Sequence, residues 1–178
     1  MTPVERSVFL VGFMGSGKSA VGRLLAAALG RGFADTDDLV VEREGRPIER
    51  IFREAGEGHF RRVEWEALQS LAARPGIVAA TGGGLFLGTL QRAWLRQQGI
   101  TVWLDAPLEE CLRRLGPAGD GRPLWAAEGD RLGFRALFER RRASYALARL
   151  RIGVGGPARE VARRVESRLL PFFLDSRA

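Results

Sequence analysis

Eight residues near the start of the chain limit its possible folds more than any other stretch. Residues 12–19 read Gly-Phe-Met-Gly-Ser-Gly-Lys-Ser, a pattern in which two glycines enclose four residues directly before Lys-Ser. A short apolar run, residues 7–11, precedes the pattern, and a segment of helical periodicity follows it until Gly30. A strand, a glycine loop and a helix in this order present backbone N–H groups and a helix N-terminus to a phosphate. The stretch therefore predicts a P-loop.

The P-loop pattern assigns a chemical role to its polar residues. Lys18 is expected to reach the β- and γ-phosphates of ATP, and the Ser19 hydroxyl to coordinate Mg²⁺. Lys18 is also the only lysine among the 28 lysine and arginine residues of the chain. Since arginine serves as the cation everywhere else, the lone lysine indicates a site that needs a compact ammonium group. The predicted ATP-binding residues of this stretch are Gly15, Ser16, Gly17, Lys18, Ser19 and Ala20.

Length and composition limit what the whole chain can be. Its 178 residues, 46% of them hydrophobic, fit one domain covering 1–178. The single cysteine, Cys111, allows no internal disulfide, and neither a signal peptide nor a membrane-spanning run is recognisable, so we predict a cytoplasmic protein with no membrane partner. The net charge of +7 suits small anionic ligands, and because basic and aromatic residues do not interleave, no nucleic-acid partner is expected. We expect a monomer.

Strand and helix patterns alternate along the chain. Short apolar runs are separated by segments of helical periodicity, and a break in the helical pattern is predicted at Gly56. This alternation is typical of a three-layer α/β fold, in which helices flank a central parallel sheet. The predicted strands are residues 7–11, 32–34, 77–80, 100–104 and 150–154.

Two acidic residues follow the predicted strand 32–34 closely. In an open parallel sheet the carboxyl ends of the strands form the ligand crevice, so we expect Asp35 and Asp37 to point toward the P-loop. In an extended chain both side chains project to the same side, which allows one carboxylate to approach Mg²⁺ and the other an acceptor hydroxyl. The alternative is an acid-rich helix N-cap, an interpretation that fits Asp38 best.

Two further segments are candidates for ligand contact. Arg61 lies three residues before Glu64 on a predicted helix, a spacing at which the carboxylate can orient the guanidinium toward another partner. A solvent-exposed helix face is the alternative there. Residues 81–84, Thr-Gly-Gly-Gly, follow a predicted strand, and three successive glycines indicate close approach of a ligand to the main chain, with a simple loop as the alternative.

A glycine- and proline-rich interruption, residues 116–123, separates two predicted helices and lies within a predicted lid around residues 116–126. Few of its side chains can be buried, which is typical of a lid. Arg122, next to Pro123, is its one long cationic side chain, and we predict that it neutralises charge on the transferring phosphoryl group. An ordinary surface connection is the alternative.

Taken together, these motifs resemble the shikimate kinase family. The resemblance extends from about residue 8 to 170 and implies a three-layer P-loop kinase fold like that of the nucleoside monophosphate kinases. It also implies Mg²⁺-dependent transfer of the γ-phosphoryl group of ATP to the 3-hydroxyl of shikimate, on the pathway to chorismate and the aromatic amino acids. The motifs that carry the resemblance are residues 12–19, Asp35-Thr36-Asp37, residues 60–64, residues 81–84, Gly121-Arg122-Pro123-Leu124 and the arginine run before Tyr145.

For shikimate, the resemblance implies roles for four residues. Asp37 would contact the accepting hydroxyl and, with Lys18 and Arg122, form the catalytic set. Arg61 and Arg141 would bind the shikimate carboxylate. Gly83 would present its backbone to the ring hydroxyls, and the substrate-binding helices would lie around residues 37–73.

For the nucleotide, the resemblance implies a metal site and an adenine site. Ser19 and, through water, Asp35 would hold Mg²⁺, while Arg122 would belong to the lid over ATP. The turn near Gly155 would lie beside the adenine.

The chain departs from the family pattern after its second predicted carboxylate-binding arginine. The family usually has Pro-Leu-Tyr at this point, whereas this chain has Ala143-Ser144-Tyr145. Residues 140–142 are all arginine, so the register of Arg141 is open by one residue in either direction.

Two other functions fit parts of the sequence. A kinase of the same fold that acts on gluconate, quinate or a nucleoside monophosphate is one, because a fold alone does not fix the substrate. A non-catalytic nucleotide-binding or nucleic-acid-binding protein is the other, and only the basic pI of about 11.1 supports it. The presence of Lys18, Asp37 and Arg122 in one chain favours a kinase.

Overall fold

Strands and helices alternate through the computed structural model, which describes residues 6–116 and 131–174. The strands are β1 Ser7–Val11, β2 Phe33–Asp35, β3 Val78–Ala80, β4 Gly99–Asp105 and β5 Leu150–Gly153. The α-helices are α1 Lys18–Leu29, α2 Thr36–Glu44, α3 Ile48–Ser70, α4 Thr89–Gln98, α5 Leu108–Leu115, α6 Arg131–Tyr145 and α7 Ala158–Leu174. Short 3₁₀ turns occupy Leu71–Ala73 and Leu85–Leu87. Each predicted strand is present, and its ends differ from the prediction by at most one residue.

The five strands form one parallel sheet in the order β2-β3-β1-β4-β5. The predicted α/β sheet flanked by helices is therefore confirmed. Strand β1 leads into the P-loop, β2 into the aspartates and β3 into the triple glycine, and these three strands are neighbours in the sheet. Their register pairs Asp35 with Ala80 and Ala80 with Leu10, so their carboxyl ends are level. Three polar segments that are far apart in sequence thus meet at one edge of the sheet.

The main core surrounds the sheet. All of β1 is buried, and Phe9 and Leu10 on it are 1% and 0% exposed. A strand buried on both faces is expected to be continuously apolar, as this one is apart from Ser7 at its start. Each such side chain contributes roughly 1.5–3 kcal/mol by leaving water. The P-loop is therefore attached to a strand that the core holds firmly.

A second, smaller core lies between α2 and α3. Its members are Val40, Ile51, Phe60, Val63 and Ala67. Helix α3 bends within this region at Gly56, where φ is 79° and ψ is 170°, a conformation essentially confined to glycine. The predicted break at Gly56 is confirmed, and it lets both halves of α3 pack against α2. The small core thereby holds Asp37 and Arg61 in fixed positions relative to each other.

The extended conformation expected from Asp35 to Asp37 is wrong. Asp35 ends β2, but Thr36 already begins α2, and Asp37 lies in its first turn. The Asp35 carboxylate accepts a hydrogen bond from the Asp37 N–H at 3.1 Å, so Asp35, and not Asp38, is the N-cap. This cap satisfies an N–H group that has no partner within the helix, which explains why the helix begins immediately after the strand.

The predicted lid at residues 116–126, including Arg122, lies outside the described residues apart from Gly116. A membrane-spanning segment was not expected from the sequence. Within residues 6–116 and 131–174, no helix has the length and apolar character needed to cross a membrane.

Candidate active site

A cavity of about 530 Å³ opens beside the triple-glycine loop, and we call it the arginine cavity because Arg61 and Arg141 line it. Its other charged lining residues are Asp37, Glu64, Arg46 and Glu49. Its apolar lining includes Met14, Val41, Ile48, Phe52 and Phe60. A cavity lined by both guanidinium groups and hydrocarbon suits a small ring that bears an anionic group.

Arg61 is held in place by two carboxylates of its own helix. Its NH1 donates to Glu64 Oε2 at 2.8 Å, and its Nε and NH2 donate to Glu57 Oε1 at 3.2 and 3.0 Å. The predicted pairing of Arg61 with Glu64 is therefore present. Glu64 is fully buried, and burial, opposed by the Arg61 charge, raises the pKa of the Glu64 carboxyl to about 7.

Burial differs between the three arginines of the run. Arg141 is 6% exposed and lines the arginine cavity, whereas Arg140 is exposed. Arg142 points away, with its guanidinium 5.8 Å from the Trp103 ring centroid. Among the described residues, Arg141 Nε and NH1 have no hydrogen-bond partner. A buried, unpaired cationic donor is costly unless a ligand supplies an acceptor, so this geometry points to an anion in the cavity.

Each glycine of the triple-glycine loop lies against a different charged side chain. A Cβ atom on Gly82 would overlap Glu64 Oε1, and one on Gly84 would lie 2.5 Å from Arg61 NH1. At Gly83 the corresponding distance to Arg141 NH1 is 3.4 Å. The sequence predicted close approach of a ligand to this main chain, and side chains of the protein also approach it here. At Gly82 and Gly84 a larger residue would displace Glu64 or Arg61 in the arginine cavity.

A second cavity of about 230 Å³ adjoins the P-loop, and we call it the P-loop cavity. The residues that line it include Gly15, Gly17, Lys18, Ser19 and Ala20 of the predicted ATP site together with Asp35 and Asp37. Lys18 Nζ donates to the carbonyl oxygens of Gly12 and Phe13 at 3.0 and 2.9 Å, which keeps the ammonium over the loop. The buried Ser16 hydroxyl has no hydrogen-bond partner among the described residues. Lys18 is thus the cation of the P-loop cavity, whereas Ser16 is fully buried and is not among the residues that line it.

Ser19 and Asp35 form the oxygen pair expected at a magnesium site. Ser19 Oγ donates to Asp35 Oδ2 at 2.5 Å. Mg²⁺ prefers oxygen ligands and commonly takes only one or two from protein, the others coming from phosphates and water. No cluster of three or more His, Cys, Asp or Glu side chains suited to a metal occurs in the part of the chain that the structure describes. The donor set thus fits a cation that a nucleotide brings with it.

The two cavities share a boundary. Asp37 and Gly83 line both of them. Asp37 therefore lies between the P-loop with its Lys18 ammonium and the arginines of the arginine cavity. A group bound in one cavity and a group bound in the other would therefore approach each other beside this carboxylate and this peptide.

A third cavity, of about 430 Å³, lies between α5, the start of α7 and the outer side of the P-loop; we call it the outer cavity. Gly156 and Pro157, in the turn predicted to lie beside the adenine, are part of its lining. Arg114 lines both this cavity and the P-loop cavity, and its NH1 donates to the Ser16 carbonyl at 3.1 Å. Sequence reasoning missed Arg114, because in a chain whose cations are nearly all arginine no local pattern distinguishes it.

The fold and these adjoining cavities define a P-loop kinase that acts on a small molecule. The shikimate kinase family matches residues 14–169. A shikimate kinase of Synechococcus elongatus is 45% identical over 148 residues, which are 83% of this chain and 76% of the relative. One of Geobacter sulfurreducens is 46% identical over 156 residues, 87% of this chain and 85% of the relative. The structure of shikimate kinase from Acinetobacter baumannii in complex with shikimate has a TM-score of 0.89 at 36% identity, with 95% of each chain covered. This chain belongs to the shikimate kinase family, and the resemblance expected from its motifs is confirmed.

Proposed function

We propose that this protein is a shikimate kinase, which uses Mg·ATP to phosphorylate the 3-hydroxyl of shikimate and so forms shikimate 3-phosphate. The observation that carries the proposal is the position of Asp37 and Gly83, which line both the P-loop cavity and the arginine cavity. Phosphoryl transfer requires donor and acceptor to meet in line at one point. Family membership supplies the identity of the acceptor, and the arginine cavity has the charge and size for it.

ATP would extend from the outer cavity into the P-loop cavity. Its adenine fits the outer cavity between Arg114 and Pro157, and its phosphates fit the P-loop, where backbone N–H groups and the N-terminus of α1 favour negative charge. On binding, the Lys18 ammonium would exchange its contacts with two carbonyl oxygens for contacts with phosphate oxygens. This exchange is favourable because a charged acceptor makes a stronger hydrogen bond than a carbonyl.

The shikimate carboxylate would bind between Arg61 and Arg141. The buried donors of Arg141 that have no partner among the described residues would then acquire one. Planar guanidinium groups match a planar carboxylate and can bind it through two parallel hydrogen bonds. The hydrocarbon part of the ring would pack against Phe52 and Phe60 in the apolar lining of the cavity.

Asp37 would orient the accepting hydroxyl at the boundary of the two cavities. Positioning is the main requirement, because the transition state of phosphoryl transfer is loose and little proton acidity develops early. Asp37 would also accept the hydroxyl proton as the new bond to phosphorus forms. Ser19 and Asp35 would hold Mg²⁺, which neutralises charge on the phosphate oxygens when bound.

We also propose that the chain is a single kinase domain that acts as a monomer in the cytoplasm. Each group assigned above comes from this chain, so the proposed mechanism requires no residue of a second subunit. The single cysteine supports a reducing compartment. Light scattering of the purified protein should give one mass near 19.6 kDa, and a dimer mass would refute the monomer.

The activity is tested by ADP release with Mg·ATP and four acceptors: shikimate, quinate, gluconate and cytidine monophosphate. Turnover is expected with shikimate and should cease when EDTA removes Mg²⁺. Lys18→Met is the matched control, and it should fold normally and lose turnover, because it removes the only lysine ammonium at the phosphates. Turnover with gluconate or the nucleotide but none with shikimate would refute the proposed function.

A further inference from the structure

Tyr145 is part of the family motif after Arg141, yet the proposed function does not use it. It is the only tyrosine in the chain and is 1% exposed. It ends α6, and its hydroxyl donates a hydrogen bond to the carbonyl oxygen of Gly83 at 2.6 Å. This short hydrogen bond from a buried phenol joins α6 to the triple-glycine loop.

Three different elements hold the triple-glycine loop. Thr81 donates from both its N–H and its hydroxyl to a carbonyl oxygen of β1 at 3.1 Å. The Gly82 N–H donates to Thr36 Oγ1, at the start of α2, at 2.8 Å. Tyr145 provides the third anchor, from α6. The loop thus has a fixed position relative to α2 and α6, which carry the predicted substrate contacts Asp37 and Arg141.

The third anchor lies next to the arginine cavity. Arg141 and Tyr145 are four residues apart in one helix, so their side chains lie on the same face. The Cβ position of Gly83 is 3.4 Å from Arg141 NH1 and 3.6 Å from Tyr145 Oη. A shift of the Gly83 peptide would therefore displace a guanidinium whose Nε and NH1 have no partner in the described part of the chain.

We propose that Tyr145 is a positioning residue, whose hydroxyl fixes the Gly83 peptide beside the Arg141 guanidinium and so sets the shape of the site for the acceptor. It acts through these two residues, because it is not among the described residues that line the arginine cavity. Burial, opposed by the Arg141 charge, raises the pKa of Tyr145 to about 12, so the phenol keeps its proton near neutral pH and can donate it to Gly83. The inference rests on the proposed function, because that proposal identifies the acceptor as shikimate.

The first test is Tyr145→Phe, which removes the hydroxyl and keeps the ring beside Trp103, whose centroid is 6.3 Å away. The KM for shikimate should rise about tenfold, because the buried Gly83 carbonyl loses its donor. The KM for ATP should stay within about twofold. Trp103→Phe is the matched control, and it should lower Tm with no such rise in the KM for shikimate. An unchanged KM for shikimate in Tyr145→Phe, or equal rises for both substrates, would overturn the proposal.

A double-mutant cycle separates positioning from a general loss of packing. If Tyr145 acts through Arg141, adding Tyr145→Phe to Arg141→Ala should raise the KM for shikimate by less than about twofold. A further tenfold rise would mean that the two residues act independently, and it would overturn the proposal.

The single tyrosine also provides a direct spectroscopic readout. Wild-type protein labelled with ¹³C at the tyrosine ζ carbon should give one resonance, which shikimate should shift and ADP alone should not. No shift in an enzyme that turns over shikimate would overturn the role of Tyr145 and leave the proposed function intact. Absence of turnover in the wild type would refute the proposed function itself, and this inference with it.

Discussion

Arg141 and Glu64 are buried charged residues whose polar atoms the protein does not fully satisfy. Arg141 Nε, Arg141 NH1 and Glu64 Oε1 have no hydrogen-bond partners within the described residues. Each buried polar atom left unpaired costs about 1–3 kcal/mol. The arginine cavity is therefore less stable without a ligand than an apolar cavity of the same shape, and a bound anion offsets part of this difference.

Arg141→Met should have opposite effects on binding and stability. The KM for shikimate should rise roughly 10- to 150-fold, which corresponds to about 1.5–3 kcal/mol of lost charge-assisted hydrogen bonding. The unliganded protein should become more stable by about 1 kcal/mol or more, because two buried donors that have no partner among the described residues are removed. Steady-state kinetics and denaturant unfolding measure the two effects. Arg140→Met is the control and should change neither; if it reproduces the rise in KM, the assignment of Arg141 is wrong.

Glu64 should make stability depend on pH in the direction opposite to an ordinary surface carboxylate. Because its folded pKa, about 7, lies above the ordinary value of 4.5, the folded state binds the proton more tightly than the unfolded state. The contribution of Glu64 to the free energy of unfolding is fully present below pH 4.5. It falls by about 2–4 kcal/mol in total as the pH rises to about 7.

Glu64→Gln removes this ionisation and tests its sign. Urea unfolding at pH 5, 6, 7 and 8 should show that the variant gains stability relative to the wild type as the pH rises. Parallel curves for the two proteins would contradict a raised pKa at Glu64.

At the scale of elements, the functional segments are strand ends and the helices that follow them. Periodicity predicted the strands within one residue, because buried parallel strands are continuously apolar. The break at Gly56 was predicted from the glycine itself. It occurs because the chain there has a conformation that only glycine adopts readily. Periodicity did not predict that α2 begins at Thr36, because an acidic segment suits a helix N-cap as well as an extended chain.

Contacts between residues that are far apart along the chain could not be predicted from the sequence. Arg114 reaches the P-loop from α5, and Tyr145 reaches the triple-glycine loop from α6. The bond between His59 Nε2 and Glu44 Oε1, at 2.8 Å, joins α3 to the end of α2 in the same way. Such pairs depend on how helices pack across the sheet, which local patterns do not encode. The P-loop, Asp37 and Arg61 were visible because each belongs to a compact local motif.

Two glycines of α3 should respond oppositely to alanine. Gly58 is exposed in the helix, with no atom within 4 Å of where an alanine Cβ would lie, so Gly58→Ala should stabilise the protein by about 0.5–1 kcal/mol. Gly56→Ala should destabilise it by about 1–3 kcal/mol, because φ there is 79°. Thermal melting measures both, at roughly 2–4 °C per kcal/mol for a chain of this size. A stabilising Gly56→Ala would mean that α3 is straight in solution.

At the scale of the whole molecule, three cavities adjoin along the carboxyl edge of the sheet. The outer cavity and the P-loop cavity share Arg114, and the P-loop cavity and the arginine cavity share Asp37 and Gly83. A nucleotide in the first two cavities and an acceptor in the third would therefore meet at Asp37. This arrangement follows from the strand order, which makes the three motif-bearing strands neighbours.

The most direct test of the central claim is the identity of the product in a competition. The enzyme is incubated with Mg·ATP and equal concentrations of shikimate, quinate and gluconate, and the phosphorylated carbon is identified by ³¹P–¹H correlation NMR. The account predicts one organic phosphate, with phosphorus coupled to the proton at C3 of shikimate. A phosphate on gluconate, or on another hydroxyl of shikimate, would contradict it.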